Sequence, residues 1–320
     1  RLLQDGLRKI SFSSKTFDFP IFTGNNTSHM RSLVFFVLAL TCMAFLPAQA
    51  QEALPGFRDA VDSEGHARRQ LTYKRIDTIA LDLTFYYPPR AAPGGLRPAI
   101  IFFFGGGWRG GAIEQFAPHA RHYAAKGMIA VLADYRVESR HGTTPYEAVA
   151  DAKSAIRFLR RHATALGVDP QRIAGAGGSA GSHLAAAAGT IDGLDEPGED
   201  QHIASRPNAL VLFNPVFDNG PTGYGFERVG GEAGYRRISP LHNIDGAAPP
   251  TIVFLGTDDP LIPVATAQEY CRRMQGAGRR CELYLYEGQG HGFFNYRNPA
   301  MYEQTVAAAD AFLASLGYIR

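Results

Sequence analysis

The sequence predicts an α/β fold with a mostly parallel central sheet, helices on both of its faces and an antiparallel hairpin at its amino-terminal side. Three observations support that reading. The chain has 320 residues, 45% of them hydrophobic, enough to bury a sizeable core. From about Leu71 onward, short apolar runs alternate with longer helical patterns, as a parallel sheet with crossover helices requires. Most of those runs are continuous, which marks strands buried on both faces.

Taken in order, Leu71 to Ile76 and Ile79 to Tyr86 alternate apolar and polar residues around Asp77-Thr78, and predict the hairpin at the sheet edge. Continuous runs follow at Ala99 to Phe104, Met128 to Ala133, Arg172 to Gly175, Ala209 to Phe213, Thr251 to Leu255 and Cys281 to Tyr286. Val149, Ala152, Ile156, Leu159 and Ala163 recur at three- and four-residue steps, which predicts a helix over Tyr146 to Leu166, with Pro145 at its start and Gly167 as its stop. Further helices are predicted over Glu114 to Lys126, Ser182 to Ala188, Val264 to Gln275 and Ala300 to Leu316. Two segments rich in Gly, Pro, Asp and Asn break the alternation, Ile191 to Pro207 and Val216 to Pro250. Both are expected to cover the carboxyl edge of the sheet as a partial lid.

The 32 Lys+Arg residues are balanced by 30 Asp+Glu and form no basic run, so no nucleic-acid partner is expected. Five of the basic and two of the acidic residues lie in residues 1–50, which leaves the rest close to neutral. Within that stretch Met30-Arg31, the apolar run Leu33 to Leu46 and Ala48-Gln49-Ala50 read as a secretory signal peptide over residues 30–50, cleaved after Ala50. The run falls short of the ~20 residues that span a bilayer, so no stable membrane anchor is expected. Residues 1–29 read as sequence upstream of the true start, residues 51–320 as one domain, and the mature protein as secreted or periplasmic. Beyond the leader only Cys271 and Cys281 remain. Export permits a disulfide between them, and two buried free thiols are the alternative. Neither has a neighbouring His or a Cys-x-x-Cys partner, so neither is read as a nucleophile or a metal ligand.

The strand ending at Gly175 runs into Gly177-Gly178-Ser179-Ala180-Gly181 and then into an Ala-rich helix. G-x-S-x-G in that context is a nucleophile elbow: the serine sits at a strand-to-helix turn too tight for side chains at the flanking glycines, at a helix amino terminus that favours developing negative charge. Two more strand ends follow in the chain order Ser, Asp, His, at Leu255-Gly256-Thr257-Asp258-Asp259-Pro260 and at Tyr286-Glu287-Gly288-Gln289-Gly290-His291-Gly292. A serine hydroxyl is a poor nucleophile at neutral pH. His291 is therefore expected to accept its proton, and a carboxylate to orient the imidazole. Asp258 and Asp259 compete for that role, and Pro260, a rigid turn residue, favours Asp259. Upstream, Phe104-Gly105-Gly106-Gly107-Trp108 follows a buried strand and reads as an oxyanion loop, with the N–H groups of Gly106, Gly107 and Ala180 as donors.

With these motifs in place, the chain over about residues 70–318 resembles the α/β-hydrolase esterases of the hormone-sensitive-lipase and acetyl-esterase type. GGSAG is similar to that family's GDSAG elbow, FGGGW to its HGGGW, GTDDPLIP to its acid loop and EGQGHGF to its histidine loop. The resemblance assigns the acid to Asp259 and the loop donors to Gly106 and Gly107. Phe104 departs from the pattern, because the family places there a His that helps hold the loop. Asp134-Tyr135-Arg136 resembles a structural segment of the family and is read as an internal ion pair. The resemblance implies an α/β-hydrolase fold and a serine carboxylesterase that acts on short-acyl esters, including acetylated carbohydrate, through an acyl-enzyme; with the signal peptide, an exported one is expected. Its partner is then a small-molecule ester, with no metal or cofactor. A serine peptidase of the same fold and an inactive binding module on this scaffold are the alternatives.

Overall fold

The structure is a computed structural model that describes residues 54–89 and 95–320; the leader and its cleavage site at Ala50 lie outside the described residues. Asp77, with a left-handed φ of 49°, turns the chain in two residues between β2 (Ala67–Ile76) and β3 (Ile79–Tyr86), which pair antiparallel as the alternation predicts. A short strand absent from the sequence reading, β1 (Arg58–Val61), pairs outside β2. The hairpin therefore lies one strand in from the edge.

The continuous apolar runs become β4 (Arg97–Phe103), β5 (Ile129–Ala133), β6 (Val168–Gly178), β7 (Ala209–Phe213), β8 (Thr251–Gly256) and β9 (Cys281–Tyr286). All nine strands form one sheet in the order β1-β2-β3-β5-β4-β6-β7-β8-β9. Neighbours from β5 to β9 are parallel, so their carboxyl ends share one edge. Of these runs β9 departs from the expectation of burial on both faces. It is the last strand in the order, and Tyr284 and Leu285 are exposed.

The helices are α1 (Ala117–Ala125), α2 (Glu138–His141), α3 (Pro145–Arg161), α4 (Ala163–Leu166), α5 (Ala180–Thr190), α6 (Gly231–Ile238), α7 (Val264–Gly276) and α8 (Pro299–Ser315). Apolar side chains of α3, α5 and α7 fill the core on one face of the sheet, and those of α1 and α8 the core on the other. A capping box starts α3, with Thr144 and Glu147 exchanging bonds and Pro145 in the first turn, where its missing N–H costs nothing. The helix expected to run to Leu166 breaks at His162, resumes as α4 and stops at Gly167, whose φ is 73°. Cys271 on α7 and Cys281 on β9 form a disulfide with their Cα atoms 5.2 Å apart.

The first Gly/Pro-rich segment does not cover the carboxyl edge. α5 carries the chain from the carboxyl end of β6 to the opposite edge before residue 191, and β7 starts from that same edge. The segment is pinned there to α3. Lys153 donates to the Ile191 carbonyl and pairs with Asp195, and Arg157 donates to the Ile203 carbonyl and pairs with Asp195 and Glu199. The second segment does reach the carboxyl edge, and its first half packs on the oxyanion loop, as described below.

Asp134 and Arg136 are likewise not an internal pair. Asp134 pairs with Arg140 at 2.5 Å, whereas Arg136 turns inward to Asp151 at 2.8 Å. Asp151 is fully buried between Arg136 and Lys74, which reaches it at 2.7 Å, and Glu196 from the 191–207 segment joins both cations. Two cations and two carboxylates tie β2, α3 and that segment together. Removing one buried partner strands the other charges, so Asp151→Asn is expected to cost about 3–5 kcal/mol. Urea unfolding with an unchanged m-value measures it.

Candidate active site

The elbow follows from steric limits at the β6–α5 junction. A Cβ on Gly181 would lie 2.0 Å from the Phe103 carbonyl oxygen, so only glycine lets α5 cross against β4 there. Ser179 takes φ 53° and ψ −118°, a conformation rarely adopted by a residue with a Cβ, and its N–H donates to the Phe213 carbonyl at 2.9 Å. Its side chain is thus held half-buried above the end of β6, at the amino terminus of α5. Ala180 is the first residue of that helix, where the N–H has no intrahelical acceptor.

Asp259 and His291 follow the carboxyl ends of β8 and β9. His291 Nδ1 donates to Asp259 Oδ2 at 2.7 Å. The same carboxylate accepts from Asn214 Nδ2 at 2.6 Å, and its other oxygen from the Leu261 and Ile262 N–H groups at 2.9 and 3.1 Å. Burial works against the ionised carboxyl. The bonds from His291, Leu261 and Asn214 outweigh it, so the pKa of Asp259 is held below the usual carboxylate range. An ionised acceptor at Nδ1 fixes the imidazole tautomer and leaves Nε2 free to accept a proton. Asp258 is exposed, and among the described residues its carboxylate bonds the Thr257 hydroxyl alone, at 3.4 Å, whereas Asp259 is the acid that meets His291.

The histidine loop docks directly on the elbow. Phe294, three residues past His291, fills the space a side chain at Gly178 would need, 2.6 Å from the position of its Cβ. This accounts for Gly178 at the second position of the elbow. Among the described residues the Ser179 hydroxyl makes no hydrogen bond, and in unliganded sites such bonds commonly tighten only on substrate binding.

The oxyanion loop lies alongside. A Cβ on Gly105 would come within 3.5 Å of the Ser179 Cβ. Gly106 (φ 130°) and Gly107 (φ 61°) take left-handed backbone, and among the described residues their N–H groups have no backbone acceptor. Phe104 stacks on Tyr135 with ring centroids 4.1 Å apart, and the Tyr135 hydroxyl donates to the Phe104 carbonyl at 2.7 Å. Trp108 is buried against His183 and Tyr224, and Tyr224 belongs to the second Gly/Pro-rich segment, which covers the loop at Gly107. A cavity of about 160 Å³ lies between this segment and the acid loop, lined by Val216, Phe217, Tyr224, Leu261 and Ile262.

The structure thus brings Ser179, Asp259, His291, Gly106, Gly107 and Ala180 to one edge. It adds Asn214, Tyr135 and Gln115, which the sequence reading missed. Asn214 carried one legible signal, its position at the carboxyl end of a strand between the serine and acid strands. Tyr135 lies in the Asp134-Tyr135-Arg136 segment, which was legible only as structural, and Gln115, which accepts from the Gly105 N–H at 2.7 Å, carried no signal.

The BD-FAE family model matches residues 83–219, and the dienelactone hydrolase family model matches residues 224–320. The esterase LipC of Mycobacterium tuberculosis is 32% identical over 251 residues, 71% of this chain and 60% of LipC. An isoprenylcysteine alpha-carbonyl methylesterase of Arabidopsis thaliana is 29% identical over 279 residues, 80% of this chain and 62% of the plant protein. The chain therefore spans about three fifths of the length of these curated relatives. Among solved structures, apo esterase 2 of Thermogutta terrifontis is 42% identical with a TM-score of 0.75, covering 85% of this chain and 99% of that one. The same esterase phosphorylated by paraoxon is 43% identical with a TM-score of 0.75, over 81% and 99%.

Proposed function

Because the chain belongs to the α/β-hydrolase esterases of the hormone-sensitive-lipase type, we propose that it is a serine carboxylesterase that hydrolyses short-acyl esters through an acyl-enzyme on Ser179. The observation that carries this is the bond from His291 to Asp259, whose carboxyl is held below the usual range, at the sheet edge that also holds Ser179 and the backbone of Gly106, Gly107 and Ala180.

In this reading Ser179 Oγ attacks the ester carbonyl as its proton passes to His291 Nε2. Negative charge on the tetrahedral carbonyl oxygen is met by the three N–H groups, already oriented before reaction begins. The imidazolium then protonates the departing alkoxide, leaving the acyl group on Ser179. Water enters, His291 takes its proton, and collapse of the second tetrahedral intermediate frees the acid and the serine.

Short acyl chains are supported by the Thermogutta esterase, which is known with propionate and with butyrate bound. Acetylated carbohydrate is the natural class for an exported enzyme of this kind. Export itself is supported by the apolar run Leu33 to Leu46 and by the Cys271–Cys281 disulfide, which suits an oxidising compartment. Nitrophenyl acetate, butyrate and octanoate compared on one preparation test the substrate reading. kcat/KM is expected to fall by about tenfold or more from butyrate to octanoate, on the order of the cost of placing excess methylenes outside a fitted pocket. Equal or faster octanoate turnover overturns the short-acyl preference, and turnover of an aminoacyl arylamide with the esters inert favours a peptidase.

A further inference from the structure

Gly105 N–H donates to Gln115 Oε1 at 2.7 Å, and Gln115 Nε2 donates to Asn295 Oδ1 at 3.0 Å. Asn295 Nδ2 in turn donates to the Gly292 carbonyl at 2.7 Å. This chain of side-chain amides runs from the residue before the oxyanion glycines to the residue after His291, across 180 positions of sequence between Gln115 and Asn295. Its direction is fixed at both ends. A backbone N–H at Gly105 demands the oxygen of Gln115, which turns the NH₂ of Gln115 toward Asn295. Asn295 must then present its oxygen to Gln115 and its NH₂ to the Gly292 carbonyl. Neither amide can flip without setting like groups against each other.

An apolar contact runs beside the polar one. Phe116, next to Gln115 in the 3₁₀ turn Ile113–Phe116, stacks on Phe294 with centroids 5.9 Å apart, and Phe294 lies on Gly178. The oxyanion loop, the elbow and the histidine loop thus meet through Gln115, Phe116, Phe294 and Asn295. Phe104, at the start of the oxyanion loop, is itself held by stacking of its ring on Tyr135.

We propose that Gln115 and Asn295 are positioning residues for ester hydrolysis, holding the oxyanion donors in register with His291 so that the nucleophile's proton acceptor and the charge-stabilising N–H groups are set as one unit. The inference rests on the esterase reading above. Positioning of this kind acts on the transition state, where a donor displaced by a fraction of an ångström loses most of its effect, and much less on ground-state binding.

The test uses Gln115→Leu, which removes both contacts at similar volume, the isosteric Gln115→Glu, which keeps an acceptor for Gly105 but opposes an oxygen to Asn295 Oδ1, and Asn295→Ala. On nitrophenyl acetate kcat is expected to fall about tenfold in Gln115→Leu with KM within about twofold, because the lost interaction is made in the transition state. Adding Asn295→Ala to Gln115→Leu is expected to lower kcat no further, as befits two residues of one network. Both Gln115 variants are expected to melt within a few degrees of wild type. If Gln115→Leu does not fold, Gln115→Glu and Asn295→Ala carry the test, each with a lowered kcat and an unchanged KM. Wild-type kcat in the Gln115 variants, losses confined to KM, or additive losses in the double variant overturn the proposal. A wild-type protein that neither turns over the ester nor takes up a phosphonate removes the esterase reading, and this inference with it.

Discussion

Ser179→Ala is expected to lower kcat/KM for nitrophenyl acetate by about 10⁴–10⁶, the range seen when a serine nucleophile is removed and oxyanion donors remain. The fold is expected to survive. Ser179 sits at φ 53° because the β6–α5 junction requires it, and alanine carries the same Cβ into that conformation at the same cost. The Ser179 hydroxyl makes no hydrogen bond among the described residues, so removing it leaves no buried group unsatisfied. Circular dichroism and a thermal midpoint within about 2 °C of wild type, a shift below that of a ~1 kcal/mol change, would establish that the lost rate is chemical.

Asp259→Asn is the second large effect, a loss of about 10⁴ in kcat, the size expected when an amide in place of the carboxylate holds the wrong imidazole tautomer. The geometry leaves little room for compensation. Asp259 Oδ2 accepts from both His291 Nδ1 and Asn214 Nδ2, and Oδ1 from two backbone N–H groups, so the side chain serves only as an acceptor. An asparagine would have to turn its NH₂ toward one of these donors. The adjacent Asp258→Asn is the control, expected to stay within about threefold of wild type, because an exposed carboxylate with one weak contact contributes little. Comparable losses in the two variants would mean that the acid has been assigned to the wrong residue.

The parts of this arrangement that the sequence displays are those with a local steric or periodic cause. Gly181 announces the elbow because no side chain fits beneath Phe103, and the continuous apolar runs announce strands because the parallel sheet is covered on both faces. β9 shows the limit of that pattern. Cys281 to Tyr286 reads as an apolar run interrupted only by Glu282, yet it ends the sheet order, and strand order is set by connections far apart in sequence. The 191–207 segment lies at the edge opposite to the one its composition suggests for a related reason. Its composition marks a loop, but the length and direction of α5 decide where that loop emerges. Asp134 and Arg136 are adjacent on the page and point to different partners, Arg140 and Asp151. Gln115 and Asn295 were invisible because an amide in a helical turn and an amide after a histidine motif carry no local signature. Only the meeting of the two loops gives them a shared role. The Cys271–Cys281 bond belongs between these cases, since a residue in the interior of α7 and the start of the next strand are close in chain but not bound to meet.

The central claim is that Ser179 becomes covalently acylated at this edge of the sheet. Reaction of the folded protein with a fluorophosphonate, followed by intact mass and peptide mapping, tests it most directly. A single adduct on Ser179 is predicted, together with none on Ser179→Ala and much slower uptake by His291→Ala. An adduct on another serine such as Ser182, or labelling of Ser179→Ala at the wild-type rate, would contradict it.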